Sequence, residues 1–267
     1  FHKDVTDQDR ANADPAINLD RAAVDFVMHK MMLAKEIDWA SAYFTTGVWG
    51  TDITGVASGP STGQTIKWSD TTSGDPIGDI EAAIIAMEED TGYSPNTMVI
   101  GRKVMSALKN HPDIVDRVKY ATSTTDNPAK VNERTLAALF GIDRILVSRA
   151  VKNTANEGAT EASAFVTGSN ALLCYAAPAP SLMEPSAGYT FSWTGYLNAG
   201  NAMGIATSRF RMDHLKSERI EAETDIRRVR RDPAFLENLG EVVRRVLRLR
   251  AQLQLDGDAG LRMDAVQ

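Results

Sequence analysis

The sequence predicts a mixed α+β protein built in two parts, and three stretches carry that reading. A long amphipathic helix fills residues 18 to 44, helices and short strands alternate from 75 to 148, and period-two strands return between 189 and 223. Each element follows from local chemistry.

Residues 1 to 17 read as an extended opening with Asp14 and Pro15 as turn residues. Phe1 stands where a methionine would start a chain, and His2, Lys3, Asp4 and Val5 form no signal peptide, which predicts a chain beginning in mid-fold after loss of an N-terminal segment. Asn18 is a helix cap. Leu19, Ala23, Phe26, Leu33, Ile37, Ala40 and Phe44 then form one apolar stripe, with Val24, Met28, Met31 and Trp39 as a second beside it. At 1.5 Å per residue this spine helix would be about 39 Å long. Thr45 to Gly74 is rich in Gly, Ser, Thr and Asp and reads as a connection.

Asp75 followed by Pro76 marks a second helix start, with Ile77, Ile80, Ile84 and Met87 on its buried face and Gly92 as its left-handed stop. Thr97 to Ile100 is a short buried strand. Helices are expected at 102–110, 112–118 and 132–140, stopped at Gly141, with a strand at Arg144 to Ser148. A polar loop covers 151–162; strands follow at 164–167 and 171–176, halted by Pro178 and Pro180. Tyr189 to Thr194, Gly204 to Met212 and Ser217 to Glu223 alternate apolar and polar residues, as a half-buried antiparallel sheet would. Beyond Thr224 the composition changes: residues 225 to 267 hold nine arginines and no lysine, against ten of each before. Leu236, Leu239, Val243, Val246, Leu249 and Leu253 predict an amphipathic helix between Pro233 and Gly257.

Composition narrows the function classes. With 267 residues, 43% hydrophobic and 24% charged, the chain can bury a sizeable core, and no apolar run approaches the roughly 20 residues of a membrane-spanning helix. A net charge of −6 argues against tight nucleic-acid binding, which draws on clustered Lys and Arg. The single cysteine, Cys174, lies in an apolar run and is expected to be an inert thiol; no intramolecular disulfide can form, and a reducing cytoplasm suits its synthesis.

No catalytic constellation stands out in the sequence. Gly59, Pro60, Ser61, Thr62 and Gly63 match the G-x-S-x-G pattern, but a nucleophile elbow needs a strand before it and a helix after it, and here a loop precedes and a strand-like segment follows. His111 and His214 read as surface or turn residues rather than triad members, and His29 as a partly solvated polar contact. No phosphate-binding glycine loop is present. Glu88, Glu89 and Asp90, like Asp113 and Asp116, read as solvated carboxylates rather than a cation site. The expectation is no catalytic, cofactor-binding or metal-ligating residue, and no cofactor.

Several separated blocks then resemble one family. Ile17 to Phe44 followed by Val48, Trp49, Gly50, Thr51, Asp52, Thr54 and Gly55 is similar to a stretch of the major capsid proteins of tailed bacteriophages. Pro95, Asn96, Thr97, Gly101, Arg102 and the run Ala107 to Arg117 continue in order, as do Leu136 to Val147, Ala176 to Pro180, Pro185 to Trp193, Arg209 to Asp213 and Ser217 to Glu221. Together they span most of residues 1 to 224.

The resemblance implies the Hong Kong 97-like capsid fold: a peripheral domain in residues 1–74 and 186–224, with its spine helix at about 18–44, and an axial α/β domain at 75–185. The atypical Arg-rich tail, 225–267, departs from the family pattern. It further implies a structural subunit that self-assembles as pentamers and hexamers into an icosahedral head around double-stranded DNA. Scaffold, portal or decoration proteins are possible partners, contact with packaged DNA is weak and non-specific, and no membrane is involved. The protein would reside in the virion after synthesis in the bacterial host cytoplasm. A cellular encapsulin-like compartment shares the implied fold and is the first rival; a serine hydrolase using Ser61 is the second.

Overall fold

The computed structural model describes residues 1–14, 17–122, 131–179, 185–192 and 204–230. In chain order these form β1 (His2–Thr6), α1 (Asp7–Asn12), α2 (Leu19–Tyr43), β2 (Thr54–Val56), β3 (Gln64–Ile66), α3 (Pro76–Thr91), β4 (Thr97–Gly101), α4 (Arg102–Asn110), α5 (Pro112–Thr122) and α6 (Glu133–Phe140). Then come β5 (Arg144–Ser148), β6 (Val151–Asn153), β7 (Ser163–Phe165), β8 (Ala171–Cys174), β9 (Gly188–Ser192), β10 (Ile205–Met212), β11 (Ser217–Thr224) and β12 (Ile226–Arg230).

The spine helix begins where the sequence places it. Asn18 accepts a hydrogen bond from the Arg21 amide at 3.0 Å, filling one of the orphan donors of the first turn. Ala23, Val27 and Met31 recur at four-residue steps and are buried against an antiparallel sheet of order β1-β11-β10. Val5, Ala23 and Ile220 form one packed group, and Val27, Met31, Ile205 and Ala222 another. Phe26 corrects the sequence reading of the buried stripe. It is 50% exposed, with the Lys30 ammonium 5.5 Å from its ring centre, because the sheet takes the row of residues 23, 27 and 31 instead.

A larger core surrounds the sheet β5-β4-β8, in which β4 pairs parallel with β5 and antiparallel with β8. β4 is central and buried along nearly its whole length, which suits its apolar sequence Met98, Val99 and Ile100. Ile100, Leu108, Ile114 and Leu136 lose all solvent contact there, joining β4, α4, α5 and α6. Asp75 caps α3 through the Gly78 amide at 2.9 Å, and Gly92 and Gly141 end α3 and α6 in left-handed conformations (φ 73° and 68°), the backbone region open to glycine without a Cβ penalty.

Other sequence expectations shift in detail. The extended opening contains α1, closed by a capping box in which the Thr6 hydroxyl accepts from the Asp9 amide and the Asp9 carboxylate accepts from the Thr6 amide. The connecting region holds the short parallel pair β2–β3, and the polar loop at 151–162 begins with β6, which pairs with β7. β9 does not join β10 and β11 in one sheet; it pairs with β12, so regular structure continues past Thr224 to Arg230. The helix expected between Pro233 and Gly257 lies outside the described residues.

Candidate functional site

The groups singled out in the sequence do not converge on a reaction centre. Ser61 sits exposed in the loop between β2 and β3, and its hydroxyl donates to Gln64 Oε1 at 2.9 Å. His111 corrects its sequence reading: it is completely buried at the C-terminal cap of α4, not at the surface. Neither ring nitrogen has a hydrogen-bond partner, and Nδ1 lies 3.6 Å from the Asp113 carboxylate. His214 is exposed in a short 3-10 turn, and His29 is exposed on α2. Glu88, Glu89, Asp90, Asp113 and Asp116 all face solvent. Among the described residues no three or more His, Cys, Asp or Glu side chains gather as a metal site, and no helix is long and apolar enough to cross a membrane. Burial pushes the Cys174 thiol up to about 11, which leaves little thiolate near neutrality.

What the fold does gather is charge at its surfaces. Around the N-terminal end of α2, Arg10 donates to Asp20 at 2.5 Å and to Glu218 at 2.7 Å, and Arg209 reaches both carboxylates. Arg211 makes a two-pronged pair with Asp7 (2.5 and 2.6 Å), and Arg219 another with Asp4 (2.7 and 2.9 Å). These pairs tie β1, α1 and the start of α2 to β10 and β11. The bonding arginines hold the carboxyls of Asp4, Asp7 and Glu218 below their ordinary values.

Two depressions lie among the described residues. The first, about 200 Å³, is lined by Trp39, Tyr43 and Trp49 from the end of α2 and its exit, with Leu172, Cys174 and Tyr189 opposite. Trp39 packs edge-on against Phe44, and the Trp49 ring N–H donates to the Tyr43 carbonyl at 2.7 Å, so aromatic stacking fixes this wall. The second, about 400 Å³, is basic: Arg102, Lys109, Arg134 and Arg149 surround it, with Glu133 as the one carboxylate. Arg102 directly follows β4 and Arg149 directly follows β5, while Arg134 is the second residue of α6. Sequence reasoning missed this cluster because its members are scattered over 48 positions and only the parallel pairing of β4 with β5 unites them.

Ser61 is bonded to an amide instead of a base, and the two depressions described are an aromatic notch and a basic hollow. The major capsid protein of Burkholderia phage BcepMu is 30% identical over 126 residues, a stretch that is 45% of this chain and only 38% of that relative. The crystal structure of a phage-related protein from Bordetella bronchiseptica RB50 has a TM-score of 0.65 and 26% identity, covering 86% of this chain and 70% of that one. Residues 59–195, about half of the chain and including the whole β5-β4-β8 sheet with its helices, match the family model described as phage major capsid protein E, and the chain belongs to that family.

Proposed function

We propose that the protein is a structural, non-enzymatic subunit of a phage head, assembling with copies of itself into the shell that encloses double-stranded DNA. The observation that carries this reading is the family match over residues 59–195. Within it, the finer Hong Kong 97-like assignment puts the spine helix α2 and the sheet β1-β11-β10 in a peripheral domain, and the β5-β4-β8 sheet with α3 to α6 in an axial domain near the five- and six-fold axes. The proposed boundaries are 1–74 and 186–224 for the peripheral part and 75–185 for the axial part. The long helix laid across an antiparallel sheet, and a second α/β core beside it, support that division.

A shell needs broad complementary surfaces repeated around rings. The proposed partners are therefore other copies in pentamers and hexamers, with scaffold, portal or decoration proteins as further candidates, and the proposed location is the virion. Contact with DNA would be loose, in keeping with the net charge of −6. Size-exclusion chromatography with light scattering tests the proposal: rings or closed particles are expected, and a chain that remains strictly monomeric with and without a scaffold partner contradicts it.

A further inference from the structure

The basic hollow and the acidic end of α3 lie at opposite ends of the same α/β core. β4 and β5 run parallel, Thr97 beside Arg144 and Gly101 beside Ser148, so Arg102 and Arg149 both leave at the carboxyl end of the pair. α3 finishes at the other end, where Thr97 begins; the Tyr93 ring packs on that of Tyr175 at 5.2 Å, just beyond Cys174, the partner of Thr97. A five-residue strand separates the two regions by roughly 16 Å, so one cannot neutralise the other within a chain.

Both regions carry uncompensated charge. Glu88, Glu89 and Asp90 occupy the last turns of α3 with no basic residue there, at the helix end where the backbone dipole already contributes negative potential. Among the described residues, none of these three carboxylates has an ion-pair partner, and neither do Arg102, Lys109 and Arg134. Three exposed carboxylates at a helix end match a concave site with four cations and one carboxylate in sign and number.

We infer that the basic hollow of one copy receives the acidic α3 terminus of a second copy, giving a head-to-tail contact between subunits. The inference rests on the shell reading above and names the residues of one subunit contact. Donor and acceptor surfaces differ, so the contact is heterologous and propagates around a ring instead of stopping at a pair.

Charge reversal tests it by sedimentation velocity over a concentration series. One variant carries Arg102→Glu and Arg134→Glu, the other Glu88→Lys and Glu89→Lys. All four changes place a residue of favourable sign at its helix end, so loss of fold is not expected, and thermal melts check this. Each variant alone sets like charges against each other and is expected to self-associate at least about tenfold more weakly than the wild type. In an equimolar mixture each reversed hollow meets a reversed α3 end wherever the two variants alternate, so association is expected to recover toward the wild type, with added salt weakening both. If either variant associates as tightly as the wild type, or the mixture stays dissociated, the inference is overturned while the shell reading stands. If the wild type itself never associates, the shell reading fails with it.

Discussion

Replacing Met31 by alanine should destabilise the protein far more than replacing Phe26, although Phe26 is the larger side chain. Met31 is 3% exposed and packs with Val27, Ile205 and Ala222 between α2 and the sheet. Truncation removes three buried heavy atoms, and at about 0.8 kcal/mol for each the transfer loss alone is about 2.4 kcal/mol. The cavity left between helix and sheet adds to this, within the range of about 2 to 5 kcal/mol found for such core truncations. Phe26 is 50% exposed, so its removal forfeits about 1 kcal/mol of burial and leaves a dent that water fills. Its contact with Lys30 adds a fraction of that. For a chain of this size a melting point moves by about 2 to 4 °C per kcal/mol, so Met31→Ala should fall by roughly 6 to 12 °C and Phe26→Ala by only a few degrees. Calorimetry at a concentration where the protein is monomeric reads the difference. Equal falls would refute the assignment of the row 23, 27 and 31 as the buried face.

His111→Leu should be neutral or raise stability by up to about 1 kcal/mol, since it replaces a buried ring with two unbonded nitrogens by an apolar side chain; a loss above about 2 kcal/mol in a denaturant titration would show that the ring is bonded. The carboxyls of Asp4, Asp7 and Glu218 are lowered from 3.8, 3.8 and 4.5, first by hydrogen bonds from Arg219, Arg211 and Arg209. Lowered groups contribute stability that is present above their unfolded values and lost as pH falls through the folded ones, so melts should be level above about pH 5 and decline below about pH 4. Arg219→Gln should move the Asp4 midpoint upward in a carboxyl-detected NMR titration, and an unchanged midpoint would contradict the pairing. Cys174, with its thiol raised to about 11, should react with a disulfide reagent at pH 8 only after denaturant is added; rapid native labelling would contradict its inert reading.

The legible part of the fold is the part written in local chemistry. Asn18, Asp75 with Pro76, Gly92 and Gly141 mark helix ends whose physics involves neighbours three or four residues away, and the structure places α2, α3 and α6 at those marks. The opening helix α1 was missed, residues 1 to 17 being read as extended, although Thr6 and Asp9 stand at the spacing of a capping box. What was not legible depends on distant partners. Two apolar stripes ran along α2, and only the arrival of β10 and β11 decides that Met31 goes inside and Phe26 out. His111 beside Pro112 has the local signature of a turn, yet in the fold it is completely buried. The pairing of β9 with β12 is likewise non-local. The basic hollow has no sequence signal at all, since exposed arginines are ordinary one at a time.

Electron cryo-microscopy of phage heads containing this chain tests the central claim most directly. The account predicts the chain repeated around five- and six-fold axes throughout the shell, with the β5-β4-β8 core nearest those axes and α2 further out. The chain present as a few isolated copies, or enclosed within a shell built from another protein, would contradict it.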